Sequence, residues 1–493
     1  MHKGSRVARA VLLGAGALMA LPAVASADSL EAYNNGVLPN SVAINSLWVI
    51  VAGCLVMFMQ AGFAFLEIGF SRGKNAGTVV AKILTNFSIA ALMYYAIGFA
   101  FAFGTGKVIG TDGFFLRDYG DPLEGFPVMG LSNATIESKW FFQFVFCAVS
   151  LAIVWGTTLE RIKFGVYVIY AIVFAGVIYP IGSHWVFGGG WLQTSVGMQD
   201  FAGSTAVHMI GATGALAVLL LLGARRGKYG RDGKPRAIPG HNMPLFGLGI
   251  LILWLGWFGF NPGSTLNAQD GRFPEILLVT QLAAAAGVLA AIATARWKTK
   301  AIDIGMAGNG AIAALVAITA PSGYVELWTA PIIGAVAGFI VVLAIYAIDK
   351  RLDDPVGALS AHGVAGIWGT LSCGLFTSPR LAQYNGFGDK DGGLLYSGEL
   401  TQLAYQALGI VVVFAFVFSL SFLTFWAIKK TYGLRVTAEE EEAGLDISEH
   451  GMYGYPEQFI PAPELIGYGA PANAASRLGP PAPEPKPSEV PAR

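Results

Sequence analysis

The chain has 493 residues, of which 54% are hydrophobic and 13% are charged, and its formal net charge is zero. A soluble protein of this length carries roughly a quarter charged residues, so the composition excludes an ordinary soluble domain and indicates that lipid covers much of the surface. No basic run interleaved with aromatic residues is present, which argues against nucleic-acid binding. The 64 glycines fit helices that pack closely in a membrane.

The N-terminal segment 1–27 has the pattern of a secretory signal peptide. Three basic residues precede an apolar stretch at 10–24, and Ala25-Ser26-Ala27 is a small-residue cleavage site. The alternative is a short additional membrane helix. A signal peptide predicts that the mature chain begins near Asp28, outside the cytoplasm.

Apolar segments of about 20 residues, the length that spans a bilayer, recur along the rest of the chain. They predict an all-α polytopic membrane protein of eleven transmembrane helices. The segments lie near 46–70, 84–104, 138–157, 165–187, 202–223, 244–262, 274–296, 303–320, 328–348, 357–378 and 403–428.

Charge placement predicts the orientation of these helices. If the mature N-terminus is outside, the loops and helix ends on the inside carry 19 basic residues and those on the outside carry 6. The positive-inside rule therefore favours an outer N-terminus and a cytoplasmic C-terminus in the plasma (inner) membrane. The inside set is Arg72, Lys74, Lys82, Arg161, Lys163, Arg225, Arg226, Lys228, Arg231, Lys234, Arg236, Arg296, Lys298, Lys300, Lys350, Arg351, Lys429, Lys430 and Arg435; the outside set is Lys107, Arg117, Lys139, Arg272, Arg380 and Lys390.

The sequence thus divides into the signal peptide, a membrane domain at 28–428 and a cytoplasmic tail at 429–493. After about residue 479 the tail is rich in proline and predicted to be disordered. The three cysteines, Cys54, Cys147 and Cys373, each lie in an apolar segment at a spacing that fits no metal motif. They are interpreted as buried packing residues, and neither a metal site nor a disulfide framework is predicted.

Two helix starts share one pattern: an aspartate, two residues, a glycine, four residues and a histidine. Asp200, Gly203 and His208 open the fifth predicted helix, and Asp354, Gly357 and His362 open the tenth. In the predicted topology these helices enter the membrane from opposite faces, which is typical of an inverted repeat.

The spacing places the two histidines near the middle of the membrane. Eight helical residues rise about 12 Å, and an apolar core is about 30 Å thick. Two imidazoles that start from opposite surfaces therefore meet near the midplane. Ionisable groups are costly there, so a symmetric pair indicates function, whereas Asp200 and Asp354 are explained as caps of exposed backbone N–H groups.

A neutral imidazole offers one donor and one acceptor nitrogen, so two facing rings can pass a proton or hold a small polar molecule. They offer too few oxygen ligands for sodium or calcium. A small species that loses and regains a proton fits best. An alternative is a redox protein in which the histidines are axial ligands of a haem, although adjacent facing rings leave no room for the macrocycle.

These motifs and several others resemble the ammonium transporter (Amt/Rh) family, bacterial Amt type, across nearly the whole mature chain. The resemblance implies two inverted five-helix repeats plus a final helix, a homotrimer with one pore per subunit, and selective ammonium uptake. It does not imply an enzyme or a cofactor. The matching stretches are Asp200-Phe-Ala-Gly-Ser-Thr205 leading to His208, Trp257-Phe-Gly-Phe-Asn-Pro-Gly-Ser264, Leu159-Glu-Arg-Ile162, Asp353-Asp-Pro-Val-Gly357 leading to His362, and Gly444-Leu-Asp-Ile-Ser-Glu-His-Gly451.

The resemblance also implies roles for single residues. His208 and His362 resemble the twin histidines of the pore, and Phe146 and Phe260 the stacked phenylalanines that gate its outer end. Three further residues complete the implied outer site: a pore-lining aromatic at Trp257, a hydroxyl ligand of the cation at Ser264, and the carboxylate that shapes this site from behind at Asp200.

One position departs from the family pattern. The family usually places Trp immediately before the glycine run at the outer end of the fourth helix, whereas this sequence has Phe187 before Gly188-Gly189-Gly190. A phenyl face holds a cation less well than an indole, so weaker recruitment of ammonium is expected.

The sequence therefore predicts an ammonium transporter that recruits ammonium outside, deprotonates it at the phenylalanine gate and conducts ammonia past twin histidines, with a possible proton relay. The alternative is an ammonium sensor that acts through its tail, for which a long appended signalling domain would be expected. The resemblance also suggests a PII-type regulatory partner at the tail. Of two further ionisable residues, Glu67 is predicted to be paired within the bundle and His184 to lie at the membrane interface.

Overall fold

The computed structural model describes residues 38, 40–117, 134–269, 271–386 and 392–459. Within these ranges the chain is helical and contains no β-strand, only two isolated β-bridges. The predicted all-α class is therefore confirmed. The predicted signal peptide at 1–27 and the predicted disorder after 479 lie outside the described residues.

The bundle consists of helical segments that are numbered α1 to α11 in chain order. Among the described helices, nine are long and apolar enough to cross a membrane. The helix α8, with 16 residues, and the helix α10 are not among these nine, so eleven crossings stay a prediction. The segments are α1 (Asn40–Phe70), α2 (Gly73–Phe103), α3 (Ile136–Gly156), α4 (Phe164–Val196), α5 (Ser204–Leu222), α6 (Met243–Thr265), α7 (Arg272–Thr299), α8 (Ile304–Thr319), α9 (Leu327–Asp349), α10 (Leu359–Val364 continued by Ala365–Phe376) and α11 (Thr401–Thr431).

The predicted start of the second helix, near residue 84, is wrong. The helix α2 already begins at Gly73. Its early turns contain Lys82, a charge that interrupts the apolar pattern in the sequence. In the folded chain Lys82 is buried and forms an ion pair with Glu67 of α1, which compensates the charge inside the bundle.

The helices α5 and α10, which carry the two histidines, run antiparallel. Near the start of α5, Thr205 Oγ1 lies 2.5 Å from Thr370 Oγ1 in the second half of α10. Beyond the other end of α5, the backbone N–H of Arg225 donates to the Asp353 carboxylate just before α10, at 2.8 Å. The two repeats therefore deliver their histidines from opposite ends of the bundle.

Glycines allow the helices α1 and α6 to approach at backbone distance. A Cβ atom added to Gly69 would lie 2.5 Å from the backbone nitrogen of Phe246, and one added to Gly249 would lie 2.4 Å from that of Leu66. Both distances are too short for any side chain. Such close approach is how apolar helices gain packing energy in a membrane, where lipid competes for apolar contact.

The first part of the tail packs against one end of the bundle. The Asp446 carboxylate accepts hydrogen bonds from the backbone N–H groups of Gly77 and Thr78 at 3.0 and 2.8 Å, and the Leu445 N–H donates to Asn75 Oδ1 at 2.9 Å. Asp446 thereby caps the exposed donors in the first turns of α2. The tail is thus an ordered part of the fold at least as far as this contact.

The three cysteines are free thiols, and one of them is not buried as predicted. Cys147 and Cys373 are buried packing residues, as predicted, but Cys54 is exposed on α1. An apolar run does not distinguish a side chain that faces the core from one that faces out of the bundle, because in a membrane both surroundings are apolar.

Candidate functional site: the paired histidines and the vestibule above them

The two repeated motifs adopt closely related local structures. Gly203 and Gly357 both have positive φ values, 117° and 77°, which a residue with a Cβ rarely adopts. This turn brings the backbone N–H groups of the next residues onto the aspartate. The Asp200 carboxylate accepts four such bonds, from Gly203, Ser204, Thr205 and Ala206, at 2.7 to 3.0 Å.

In the second repeat, the Asp354 carboxylate accepts from the backbone N–H groups of Gly357 and Leu359 at 3.1 and 2.8 Å. Burial raises the pKa of Asp200 to about 6, and its N–H donors oppose a further rise. Asp200 is therefore mostly ionised at neutral pH.

Both histidines lie in π-helical turns, Ser204–Met209 and Leu359–Val364. Such turns are rare and occur frequently at functional sites, because the wider turn changes the direction of the side chains. His208 is fully buried and His362 is 5% exposed. The sequence pattern did not reveal these turns.

The two imidazoles face each other. Their Nδ1 atoms are 3.2 Å apart and their ring centroids 5.3 Å apart, with an angle of 21° between the ring planes. One Nδ1 must donate and the other accept, so the two Nε2 atoms have opposite roles: one is a bare acceptor and the other carries a proton. Rings at this separation also leave no space for a haem between them.

A column of aromatic rings covers His208. Phe146 and Phe260 stack with centroids 4.0 Å apart, and His208 lies 5.3 Å from Phe260 and 5.1 Å from Trp257. The Trp257 indole donates to Thr319 Oγ1 at 2.9 Å, which fixes the ring against the histidine. All four rings are almost completely buried.

A cavity of about 670 Å³, here called the vestibule, lies beside the end of α6 that carries Ser264. Phe187, Asp200 and Ser264 line it, so three predicted site residues share one space. The Ser264 hydroxyl donates to the Phe260 carbonyl at 2.8 Å, which leaves its oxygen able to accept a bond from a cation.

Sequence reasoning missed several other residues of the vestibule. Arg272, counted above as an outer loop charge, lies in its wall and pairs with Glu275, and its guanidinium is 5.2 Å from the Tyr384 ring centroid. These side chains come from segments far apart in the chain. No spacing rule connects them, and only their charge or aromatic type marks them in the sequence.

Glu67 and His184, the two other ionisable residues of the sequence analysis, both have polar partners in the fold. Glu67 pairs with Lys82, which confirms the predicted pairing within the bundle. His184 is fully buried within the bundle, and its location at the level of the membrane interface stays a prediction. Its two ring nitrogens lie 2.9 and 3.1 Å from the carbonyl oxygens of Ala102 and Gly106, where it fixes the loop after α2.

A family model described as Ammonium Transporter Family matches residues 47–455. The chain belongs to the ammonium transporter family. It is 45% identical over 434 residues to the ammonium transporter Amt2 of Archaeoglobus fulgidus, which covers 86% of this chain and 90% of that protein. The ammonium transporter predicted from the sequence is thereby confirmed, as is a multi-pass membrane protein.

Solved structures also match this transporter. A structure titled Sensor Amt Protein superposes with a TM-score of 0.76 at 36% identity, covering 83% of this chain and 99% of that one. The crystal structure of Candida albicans Mep2 superposes with a TM-score of 0.73 at 29% identity, covering 80% and 87%. The fold of the transporter is therefore shared with the Amt and Mep proteins.

Proposed function

We propose that this transporter deprotonates ammonium beside the Phe146–Phe260 stack and conducts ammonia past His208 and His362, while the histidine pair relays the proton. One observation carries the proposal. The buried His208 Nε2 has no hydrogen-bond partner among the described residues. Buried polar atoms are normally paired, so this nitrogen is suited to a transient polar ligand.

Recruitment begins in the vestibule. The Phe187 ring offers a π face, the Ser264 oxygen an acceptor, and ionised Asp200 a negative charge. Together these groups favour a small cation over a neutral molecule. Because the Asp200 oxygens are occupied by backbone donors, we assign Asp200 a supporting role, and Asp354 the same role in the second repeat.

The phenylalanine stack then separates the cation from the dry part of the pore. An unpaired ion is very costly in apolar surroundings, whereas neutral ammonia is not. His208 lies directly against this stack, with its ring centroid 5.3 Å from that of Phe260. Ammonium therefore releases its proton at this level, and His208 Nε2 is the first base it meets.

The relay can be written with every proton accounted for. His208 Nε2 takes the proton from ammonium, His208 Nδ1–H passes its proton to His362 Nδ1, and His362 Nε2–H releases its proton on the far side. Ammonia follows the same path. The transfer between the rings uses the observed 3.2 Å contact between the two Nδ1 atoms. Both rings must then return to their starting tautomers before the next proton is relayed.

The test is an ammonium pulse applied to proteoliposomes on a solid-supported membrane, with the internal pH followed in parallel. We expect an ammonium-dependent current, because each ammonia is accompanied by one proton. Alkalinisation of the lumen without current would contradict the relay. A sensor without transport, the second candidate, would give neither signal.

Replacing Phe187 by Trp is expected to lower the half-saturating ammonium concentration by about two- to fivefold. An indole attracts a cation more strongly than a phenyl ring, and we assign about 0.5–1 kcal/mol to the gain. Currents measured against ammonium concentration check this, with Phe187→Leu as the matched control that loses the π face. Equal half-saturation in all three proteins would exclude a recruiting role for this position.

We further propose a homotrimer in the inner membrane with the vestibule outside and the tail in the cytoplasm. The orientation is supported by the excess of basic residues at the end of the bundle where the tail packs. Native mass spectrometry tests the trimer. A PII-type regulatory protein is the proposed partner of this face, and a pull-down with and without residues 429–493 tests that interaction.

A further inference from the structure

A fully buried ion pair lies beside the pore on the far side of the histidines from the vestibule. Glu67 of α1 and Lys82 of α2 are 1% and 0% exposed at their side chains. Charged groups within membrane helices are expensive, and those that occur face the bundle interior and commonly mark ion or proton pathways. Packing alone does not explain why this charged pair is buried in the bundle.

The pair satisfies only half of the carboxylate. Lys82 Nζ donates to Glu67 Oε2, whereas Oε1 is buried and has no hydrogen-bond partner within the described part of the chain. An unsatisfied buried acceptor costs stability. A further titratable group near the ammonium group is Tyr167, whose ring centroid is 6.0 Å from Lys82 Nζ.

The unpaired oxygen lies beside a small cavity that also reaches the pore. This cavity, here called the His362 cavity, has a volume of about 20 Å³, and its polar lining residues are Glu67, Asn309 and His362. A volume above about 10–15 Å³ holds one water molecule, and ammonia is of similar size.

Gly156 locates the oxygen at the wall of the His362 cavity. A Cβ atom at this position would lie 3.7 Å from Glu67 Oε1 and 2.8 Å from Val356 Cγ2. Gly156 and Val356 both line the same cavity. The absent side chain therefore keeps open the space between the carboxylate and its surroundings.

We propose that Glu67 is the proton-carrying group on the far side of the histidine pair, with Lys82 as its fixed counter-charge. The inference rests on the proton relay proposed above. Glu67 Oε1 takes the proton that His362 Nε2 releases, either directly or through one molecule in the cavity. The ammonia that has passed His362 then takes that proton, which forms ammonium and restores the carboxylate.

This arrangement explains why the carboxylate is buried. A group that accepts a proton and gives it up again must not be held by hydrogen bonds on both oxygens. Oε2 is held by Lys82, and Oε1 is left for the transfer. The pair is neutral overall when Glu67 is ionised, which reduces the cost of keeping it in the bundle.

The experiment compares two double variants that remove the proton carrier and keep the site neutral. The double variant Glu67→Leu/Lys82→Met makes the site apolar, and proteins often tolerate such a replacement of a buried ion pair. Glu67→Gln with Lys82→Gln keeps hydrogen-bonding groups but no group that carries a proton. Glu67→Asp retains the carboxylate and serves as the conservative control. Current and luminal pH are recorded for each protein after an ammonium pulse.

We expect both double variants to lose current by about 100-fold, the lower end of the range for a missing proton-transfer group, while ammonia permeation stays within about twofold. Glu67→Asp should keep most of the current. Wild-type current in either folded double variant would overturn the role of Glu67 and leave the relay intact. Ammonia flux without current in the wild-type protein would overturn the relay itself, and with it this inference.

Discussion

Replacing His208 and His362 together by asparagine is expected to reduce the ammonium-driven current of the reconstituted transporter by about 100-fold. Asparagine still donates and accepts hydrogen bonds in a similar volume, so a polar path for ammonia remains. Asparagine has no basic nitrogen, so it cannot take up a proton. The loss of a positioned proton-transfer group typically lowers the rate 10²–10⁴-fold. Ammonia permeation, followed by luminal pH, should change by less than about fivefold.

Each single substitution should remove nearly as much current as the double one, because a relay with one missing partner does not conduct. Strong non-additivity of this kind is expected when two residues act as a unit. His241→Asn is the matched control, since His241 lies two residues before α6 and its Nδ1 is 2.8 Å from the Ser71 carbonyl oxygen, not in the histidine pair. Current in the double variant equal to that of the control would show that the histidines do not carry the proton.

The position of the histidine pair follows from the sequence, and the reason is geometric. A fixed spacing from Asp200 to His208 and from Asp354 to His362, on helices that enter from opposite faces, leaves little freedom for where the rings meet. The glycine in each motif also has a physical explanation, because a positive φ is needed for the following N–H groups to point at the aspartate. No residue pattern in the sequence predicts the π-helical turns that hold the two histidines.

What the sequence could not show depends on tertiary contact. The early start of α2 was missed because Lys82 is charged, and only its contact with Glu67 makes that position compatible with a buried helix. The vestibule wall at Arg272 and Tyr384 is assembled from separate segments. Cys54 was predicted to be buried because an apolar segment does not distinguish a core-facing position from an exposed one.

Replacing Asp200 by alanine is expected to destabilise the solubilised transporter by roughly 3–5 kcal/mol. Four backbone N–H groups at the start of α5 would lose their acceptor while remaining buried, and hydrogen bonds to a charged acceptor contribute about 1.5–3 kcal/mol each without adding fully. At about 2 °C per kcal/mol for a large protein, the apparent Tm should fall by about 5–10 °C. Asp354→Ala is the matched control in the other repeat, and its carboxylate accepts fewer bonds, so its loss should be about half as large.

Transport by the milder variant Asp200→Asn distinguishes a supporting carboxylate from a ligand. A carboxylate has about four acceptor positions, and here the four backbone donors occupy them, so none is left for ammonium. The half-saturating ammonium concentration of folded Asp200→Asn protein should therefore stay within about threefold of wild type while its Tm falls. The reverse result, a tenfold weaker half-saturation at unchanged Tm, would make Asp200 a direct cation ligand. The four N–H bonds would then have to rearrange whenever ammonium enters the vestibule.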